Sequence, residues 1–475
     1  MGNLHAAMDT LPDGIFEIAA LFSEAGHELA LVGGPVRDAC LGVAPHDFDL
    51  TTSARPDETE DLLKRWGATT WDMGRKFGTI GGRHRGLVVE ITTYRADEYL
   101  PDTRKPEVRF GDTLEGDLTR RDFTVNAMAL RLPDLTLVDP HSGLAHLLDG
   151  ELVTPIEAEE SFSDDPLRIM RAARFTAQLG CQVSESVLSA MTSMASRLEI
   201  VSAERIRGEL ERLLLAARPR PGLELMVYTG VADYVLPELA ALQDTVDAQH
   251  RHKDVYEHSL TVLEQAIDLE TDSEGPVPGP DLILRLSALM HDCGKPRTRR
   301  FERDGTVTFH HHEIVGAKMM RKRLKALTFD KATIQAVTDL IALHGRFHGY
   351  GEQAWTDSAV RRYAADAGEQ LERLHRLTRA DCTTKNKRKA QRLSHAYDDL
   401  ERRIAELAAQ EELDKIRPDL DGTQIMAILG ITPGREVGLA YKMLLEARME
   451  EGPLGEEEAT RRLRQWWAER EETAG

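Results

Sequence analysis

The chain has 475 residues, is 41% hydrophobic and 29% charged, and carries a formal net charge of −20. That length is too great for one core, so two to four domains are expected, and the composition is that of a globular protein. The acidity excludes a general nucleic-acid coat, so any polynucleotide must be held by local basic patches. Cys40, Cys181, Cys293 and Cys382 lie far apart with no CxxC pair, which argues against a disulfide framework and a structural zinc site. No apolar run is long enough to cross a bilayer and no signal-peptide pattern opens the chain, so a cytoplasmic protein without a membrane partner is expected.

Residues 1 to about 150 mix helix and strand signals, with strand-like LALVGG, GLVVEITTYR and LTLVDP separated by Gly, Pro and Asp turns. Gly33 and Gly34 follow the first of these and precede a helical stretch containing Arg37. Small residues there admit a phosphate to backbone N–H groups at a helix N-terminus, although a Gly-Gly pair also serves as a plain turn. Asp47 and Asp49 come next, two apart on a strand-like segment, so both carboxylates point to one face. Like charges placed so repel unless a cation sits between them, and a divalent metal is the usual one. Glu90, on another strand, is either a third carboxylate or a surface residue. In RRDFTVNAMAL, Arg121 suits a phosphate. Asp122 and Asn126, four apart, share a face for a ribose if the segment is helical; otherwise Asp122 caps a helix start.

From about residue 155 the pattern is helical, through 165–230, 255–270, 281–291, 313–327 and 358–411, with TDSEGPVPGPD as an internal loop. From Met449 onward one charged amphipathic helix with a frayed end is expected. In SFSDDPLRIMRAARFTAQLG, Pro166 fits a helix start and Gly180 its end. Arg168, Arg171 and Arg174 lie three apart along one side, consistent with a solvated or RNA-facing stripe. Asp165 is an N-cap, or else it pairs with Arg168 as a base reader. Cytosine and adenine both present an amino donor beside a ring-nitrogen acceptor, so one Asp acceptor and one Arg donor read both; guanine and uracil reverse that order.

The series LVGGPVRDACLG, DFDLTT, RRDFTVNAMA, DPLRIMRAARF and VSAERIRGELERLL, in this order, resembles the class II CCA-adding enzymes, tRNA nucleotidyltransferases of the polymerase-beta superfamily. The resemblance covers roughly residues 20–240. It implies an α+β head with a polymerase-beta-like sheet, followed by all-α neck, body and tail. By resemblance Asp47 and Asp49 are catalytic Mg²⁺ ligands, and Gly33, Gly34 and Arg37 form the triphosphate turn. Arg121, Asp122 and Asn126 match the sugar motif, and Asp165 and Arg168 match the protein template that selects CTP and ATP; Arg171 and Arg174 are further candidates for nucleotide binding. Two departures from the family pattern stand out: Asp164-Asp165 where Glu-Asp is usual, and Asp102-Thr103-Arg104-Lys105-Pro106 within the stretch that fills the place of a flexible loop, 96–110. The presence of that loop favours complete C-C-A addition.

Further along come His258, the pair His291-Asp292 at the end of an apolar helix, His312, His344 and Asp381. Ligands of this kind at this density suit a hydrolytic Mn, Ni, Fe or Mg site. Their order resembles the HD phosphohydrolase superfamily, which implies a divalent metal such as Mn²⁺ or Ni²⁺; the same residues also fit a degenerate helical module that only holds tRNA. RADCTTKNKRKAQR (379–392) is the most basic run and a candidate for tRNA phosphates. The expected organisation is a head (1–155), neck and body (156–245), an HD domain (246–400) and a helical tail (401–475). Two rival functions share these motifs: a bacterial poly(A) polymerase, disfavoured by the acidic charge, and a phosphohydrolase with an RNA-binding head, disfavoured by the Asp-Phe-Asp segment.

Overall fold

The computed structural model describes residues 11–45, 48–95, 110–111, 113–243, 254–304, 306–350, 355–384, 386–411 and 417–474. They fall into two compact units, 1–240 and 241–475. Asp47 and segment 96–109 lie outside the described residues.

In the first unit, helix α1 (Asp13–Glu24) buries Ile15, Ile18, Ala19 and Phe22, the i, i+3, i+4, i+7 stripe of an amphipathic helix. Strand β1 (Leu29–Val32) is buried on both faces, as its unbroken apolar run requires. Helix α2 (Gly34–Cys40) follows at once, with Pro35 in its first turn. Then come β2 (Asp49–Thr52), α3 (Pro56–Arg65), β3 (Thr69–Trp71), β4 (Thr79–His84), β5 (Leu87–Thr93), α4 (Leu114–Thr119), β6 (Ala129–Arg131) and β7 (Thr136–Val138). The sheet runs β3-β4-β5-β2-β1-β6-β7. Only β2 and β5 pair in parallel, and that register sets Asp49 beside Glu90. Along β5, Val89, Ile91 and Thr93 are buried and Glu90 is exposed, the alternation of a strand with one wet face.

Helix α5 (Gly143–Asp149) and a short parallel pair, β8 (Glu151–Leu152) with β9 (Gln182–Val183), lead into the helical part. There α6 (Ala158–Asp164), α7 (Leu167–Leu179), α8 (Glu185–Met194), α9 (Ala203–Leu214) and α10 (Arg220–Tyr228) follow one another. Helix α7 starts after Pro166 and ends at Gly180, which adopts φ +70°. It packs on α9 and α10. Gly222 permits the close approach of α10, since a Cβ there would stand 2.4 Å from the Ala173 carbonyl oxygen.

The second unit is almost entirely helical: α11 (Val255–Asp268), α12 (Leu282–Met290), the hairpin β10 (Arg300–Phe301) and β11 (Val307–Thr308), α13 (His312–Ala326), α14 (Lys331–Leu343), α15 (Asp357–Ala367), α16 (Leu371–Ala380) and α17 (Lys387–Glu411). The periodic stretch 358–411 is made of three helices, α15, α16 and α17. Its core includes Leu284, Ala288, Leu340, Phe347, Val360, Leu374 and Leu377. The tail, α18 (Gly422–Leu429), α19 (Arg435–Glu451) and α20 (Glu456–Ala474), closes on a cluster of its own around Ile425, Leu444 and Leu463. The single helix expected from Met449 is interrupted: Gly452 at φ +84° and Gly455 at φ +79° end α19 before α20 begins. No helix among the described residues is long and apolar enough to cross a membrane.

Candidate active site and metal centre

The first cluster forms where several chain reversals meet at one end of the sheet. Gly33 leaves β1 at φ +74°, in the left-handed region that favours glycine, and a Cβ there would stand 3.0 Å from Arg121 Nη1. Asp49 opens β2 level with the end of β1, and Glu90 is its neighbour on β5. Adjacent parallel strands lie about 4.8 Å apart, so two exposed carboxylates share one edge; hard oxygen donors so placed fit a divalent cation. Glu90 also lines a cleft of about 350 Å³ with Trp71, Met73, Phe77 and Arg95. The bridge Arg95–Phe110 joins the two residues that flank segment 96–109.

Beside this edge the residues chosen from sequence form one connected network. Arg37 Nη1 donates to Asn126 Oδ1 at 2.8 Å, and Asn126 Nδ2 donates to Asp122 Oδ1 at 3.1 Å. Asp122 Oδ2 meets Arg171 Nη2 at 2.5 Å. Burial opposes the charge on Asp122, but the Arg171 guanidinium together with the hydrogen bonds from Asn126 and the Phe123 N–H, and with Arg168, outweighs it and holds the carboxyl below its usual range. The segment is not the α-helix considered from sequence: Thr124–Asn126 is a single 3₁₀ turn, and Asp122 accepts from the Phe123 N–H rather than capping a helix.

Two arginines of the α7 stripe are buried, Arg168 and Arg174, while Arg171 is half-buried and paired with Asp122. Arg168 is buried, donating to Ser161 Oγ (2.7 Å) and to the Arg120 carbonyl (2.5 Å). Arg174 is buried against Glu209 at 2.8 Å and stacks over Phe175, with 4.1 Å to the ring centroid. Burial lowers its pKa to about 10 despite that partner. The physical reason is that α7 is covered by α9, α10 and the Asp122 segment, so every guanidinium must find an internal acceptor. Of the two readings of Asp165 the structure shows the helix-start contact: Oδ1 accepts from the Leu167 N–H at the start of α7, while Oδ2 pairs with Arg205 of α9 at 2.8 Å and not with Arg168. Arg205 and Glu209 went unassigned in the sequence, although their four-residue spacing in VSAERIRGELERLL marks one helix face turned to α7.

The second cluster gathers in the helical unit. His291, His344 and Asp381 each directly follow a helix, α12, α14 and α16 respectively. Three C-terminal helix dipoles therefore converge, which favours a cation. His258 comes from α11 and His312 opens α13. Gly294 brings α13 close, because a Cβ there would stand 2.0 Å from the His312 carbonyl oxygen. Each histidine has its Nδ1 held: His291 at Ala288 O (2.8 Å), His344 at Ile341 O (2.7 Å), His312 at Phe309 O (3.0 Å) and His258 at Thr383 Oγ1 (3.2 Å). All four Nε2 atoms are thereby turned inward, as metal-binding imidazoles are. His258 Nε2 is 2.9 Å from Asp381 Oδ1, His291 Nε2 is 3.2 Å from Asp292 Oδ2, and His312 Nε2 is 3.2 Å from Asp292 Oδ1. Two ligand sets result, His258-His291-Asp292 and Asp292-His312-His344, with Asp292 common to both.

These residues fit a divalent metal on their own geometry. His291 Nε2 is fully buried and makes no well-formed hydrogen bond, an expensive state for a polar atom unless a cation occupies the centre. Lys295, three residues after Asp292, places Nζ 2.8 Å from Asp292 Oδ2 and was not singled out from sequence. Burial opposes a proton on His291, but Asp292 and Asp381 outweigh it and push its pKa up to about 10; burial and the neighbouring His291 hold His344 down at about 4. A metal must therefore displace the His291 proton at neutral pH. Metal uptake is expected to release a proton and to tighten as pH rises from 6 toward 10; titration calorimetry in two buffers of different ionisation heat checks this, and uptake without proton release counts against the assignment.

Of the basic run 379–392, Arg379 is already paired with Asp398 (2.8 Å) and Glu401 (2.9 Å), whereas Lys387, Arg388, Lys389 and Arg392 are exposed. Lys385 lies outside the described residues.

Residues 29–153 match the family model described as poly A polymerase head domain, 180–243 the probable RNA and SrmB-binding site of polymerase A, and 255–386 the HD domain. Among curated relatives, an A-adding tRNA nucleotidyltransferase of Deinococcus radiodurans is 34% identical, with 94% of this chain and 96% of the relative covered. A CCA-adding enzyme of Streptococcus thermophilus is 32% identical with 91% of each covered, and a CC-adding tRNA nucleotidyltransferase of Thermus thermophilus is 32% identical with 92% and 93% covered. In fold the chain is similar to the Bacillus stearothermophilus CCA-adding enzyme in complex with CTP, at a TM-score of 0.65, 23% identity and coverage of 97% of this chain and 98% of that one.

Proposed function

The chain belongs to the tRNA nucleotidyltransferase family, and from that premise we propose that it adds C, C and A to the tRNA 3′ end from CTP and ATP, without a nucleic-acid template and with release of pyrophosphate. The supporting observation is the juxtaposition of Asp49 and Glu90 on one strand edge with the Gly33 turn and the Arg37–Asn126–Asp122–Arg171 network. Asp49, with Asp47, holds Mg²⁺. When bound, the metal offsets the charge of the transferring phosphate and acidifies the attacking hydroxyl. The terminal 3′-oxygen of the tRNA bonds to the α-phosphorus of the nucleotide as the bond to the β-phosphate oxygen breaks. Pyrophosphate leaves, and the hydroxyl proton is lost to solvent at the exposed carboxylate edge. Gly33 and Gly34 admit the triphosphate to the backbone N–H groups of α2, Arg37 and Arg121 meet its charge, and Asp122 and Asn126 orient the ribose. Its work on tRNA places the protein in the cytoplasm.

The decisive assay supplies tRNA lacking its 3′ end with CTP and ATP, singly and together. Three additions needing CTP and then ATP support the reading. A alone, or C alone, makes the chain a partial enzyme like its A-adding and CC-adding relatives, and a long A tract makes it a poly(A) polymerase.

Base choice falls to Asp165 and Arg168. Their existing bonds, to Arg205 and the Leu167 N–H and to Ser161 and the Arg120 carbonyl, hold both side chains in place to read a base edge. Arg168→Ala is expected to lose most of the preference for CTP and ATP over UTP and GTP. A site left with an unpaired buried polar group discriminates by about 10⁴-fold, so the loss should be large. Asp165→Asn should weaken selectivity as well as the α7 cap. Unchanged selectivity in both variants, measured by competing nucleotide incorporation, removes the template role.

The HD cluster serves a second activity, hydrolysis of a phosphoester such as a 2′,3′-cyclic phosphate or a phosphomonoester at a damaged RNA end. His258, His291, Asp292, His312, His344 and Asp381 hold the metal, and mixed nitrogen and oxygen donors suit Mn²⁺ or Ni²⁺. When bound, the metal acidifies water and offsets phosphate charge. Water oxygen bonds to phosphorus, a phosphorus–ester oxygen bond breaks, and the released oxygen takes up the proton.

A further inference from the structure

The hairpin β10–β11 is spliced into the chain between two of the metal-site residues, Asp292 and His312. Both of its roots are tied to that site. At the entry, Lys295 bonds Asp292 Oδ2 at 2.8 Å and lies 5.6 Å from the ring centroid of Phe309. At the exit, the carbonyl of Phe309 accepts from His312 Nδ1 at 3.0 Å. The hairpin is therefore anchored at both roots to residues of the metal centre.

Its charge is opposite in sign to that of the chain as a whole. In a chain of net charge −20, the segment KPRTRRFER carries Lys295, Arg297, Arg299, Arg300 and Arg303 against one glutamate, Glu302. Arg297, Arg300 and Arg303 are exposed and have no ion-pair partner among the described residues. The local acids are occupied within the hairpin: Glu302 accepts from Thr308 Oγ1 at 3.0 Å, and Asp304 from the Thr306 N–H at 3.0 Å and its hydroxyl at 2.5 Å. Phe301 stands out of the surface at 70% exposure, with the Arg299 guanidinium 4.9 Å from its ring centroid. Cations that follow a backbone beside a ring that accepts a base are the two parts of a single-stranded nucleic-acid site.

We propose that this hairpin captures the unpaired 3′ end of an RNA and delivers its terminal phosphate to the HD centre, so that the centre favours a polynucleotide end over a free nucleotide. Phe301 stacks the base next to the end, and Arg300 and Arg303 hold the phosphates before it. This rests on the phosphohydrolase reading of the cluster, and the test separates the two.

The full-length protein with Mn²⁺ is assayed on a single-stranded RNA of about eight nucleotides ending in a 2′,3′-cyclic phosphate, long enough to span one such site, and on a 2′,3′-cyclic mononucleotide. The triple variant Arg300→Ala, Phe301→Ala, Arg303→Ala should raise KM for the RNA roughly 10-fold or more with kcat little changed, since one lost stacked base alone weakens binding at least about 5-fold. Hydrolysis of the mononucleotide should be unaffected. The dependence of the RNA KM on salt should become shallower, by about 0.7 in log–log slope for each phosphate contact removed. Charge reversal at Arg300 and Arg303 to Glu should weaken RNA further still. An RNA with 4-thiouridine at its 3′ terminus should crosslink within residues 299–309 whether or not hydrolysis occurs. Crosslinking without hydrolysis would sink the phosphohydrolase reading and leave the capture site standing. Equal kinetics of wild type and variants on the RNA, or terminal crosslinks elsewhere only, overturn the capture site.

Discussion

Asp49→Asn is expected to abolish nucleotide incorporation while leaving tRNA binding largely intact. The change preserves size and hydrogen-bonding shape but removes the anionic oxygen at the head of β2, beside Glu90. Loss of a group that merely orients a metal ligand costs about 10- to 100-fold, so loss of the ligand itself should cost more. Folding should survive, because Asp49 is exposed at the strand start whereas Leu50, Thr51 and Thr52 behind it are the buried part. Asp47→Asn should behave alike. Incorporation of labelled ATP and CTP measures the first effect, and filter binding of tRNA the second. Normal turnover in the Asp49 variant would refute the metal assignment; loss of tRNA binding together with activity would point to a structural role.

Changing His291 and Asp292 to Ala should eliminate phosphoester hydrolysis and the uptake of Mn²⁺ or Ni²⁺ at the HD cluster, with C-C-A addition retained. Asp292 contributes to both ligand sets, so its loss removes the shared carboxylate and leaves neither set complete. Head and HD ligands belong to separately packed units, which is why addition should persist. The metal-free protein gives the stability sign. His291, raised to about 10, favours the fold below the unfolded imidazole value near 6.5, and that contribution fades as pH rises through 10. Asp292, held well below its usual range, favours the fold above pH 4 and loses that contribution on acidification. In the double variant both dependences should disappear from the thermal melting profile. Metal uptake unchanged by the double substitution would refute the ligand set, and loss of C-C-A addition would refute the independence of the two sites.

The sequence alone was enough to place strands at LALV, LVVEITT and TLV, to put helices α7, α11, α12 and α13 where they stand, and to pick out the residues of both clusters; helix α14 was not among the expected stretches. Those features are local. Apolar period, turn glycines and a Pro before a helix act within a few residues, so they are written in neighbouring letters. The six residues of the HD cluster were legible because each sits in or directly beside a helix, where a charged or imidazole residue stands out against the apolar positions.

What a row of arginines faces is decided elsewhere. Arg168, Arg171 and Arg174 look the same in sequence whether α7 is open or covered, and only the packing of α9, α10 and the Asp122 segment turned them inward toward Ser161, Asp122 and Glu209. The pairing of Asp49 with Glu90 depended on a parallel register between strands 41 residues apart, and the partnership of Asp165 with Arg205 on two helices meeting across 40 residues. The sequence chose the charged groups and their local spacing. Their partners were settled by tertiary structure, because a buried charge must be matched by whichever opposite charge the packing brings within reach, and that distance in space is not a distance along the chain.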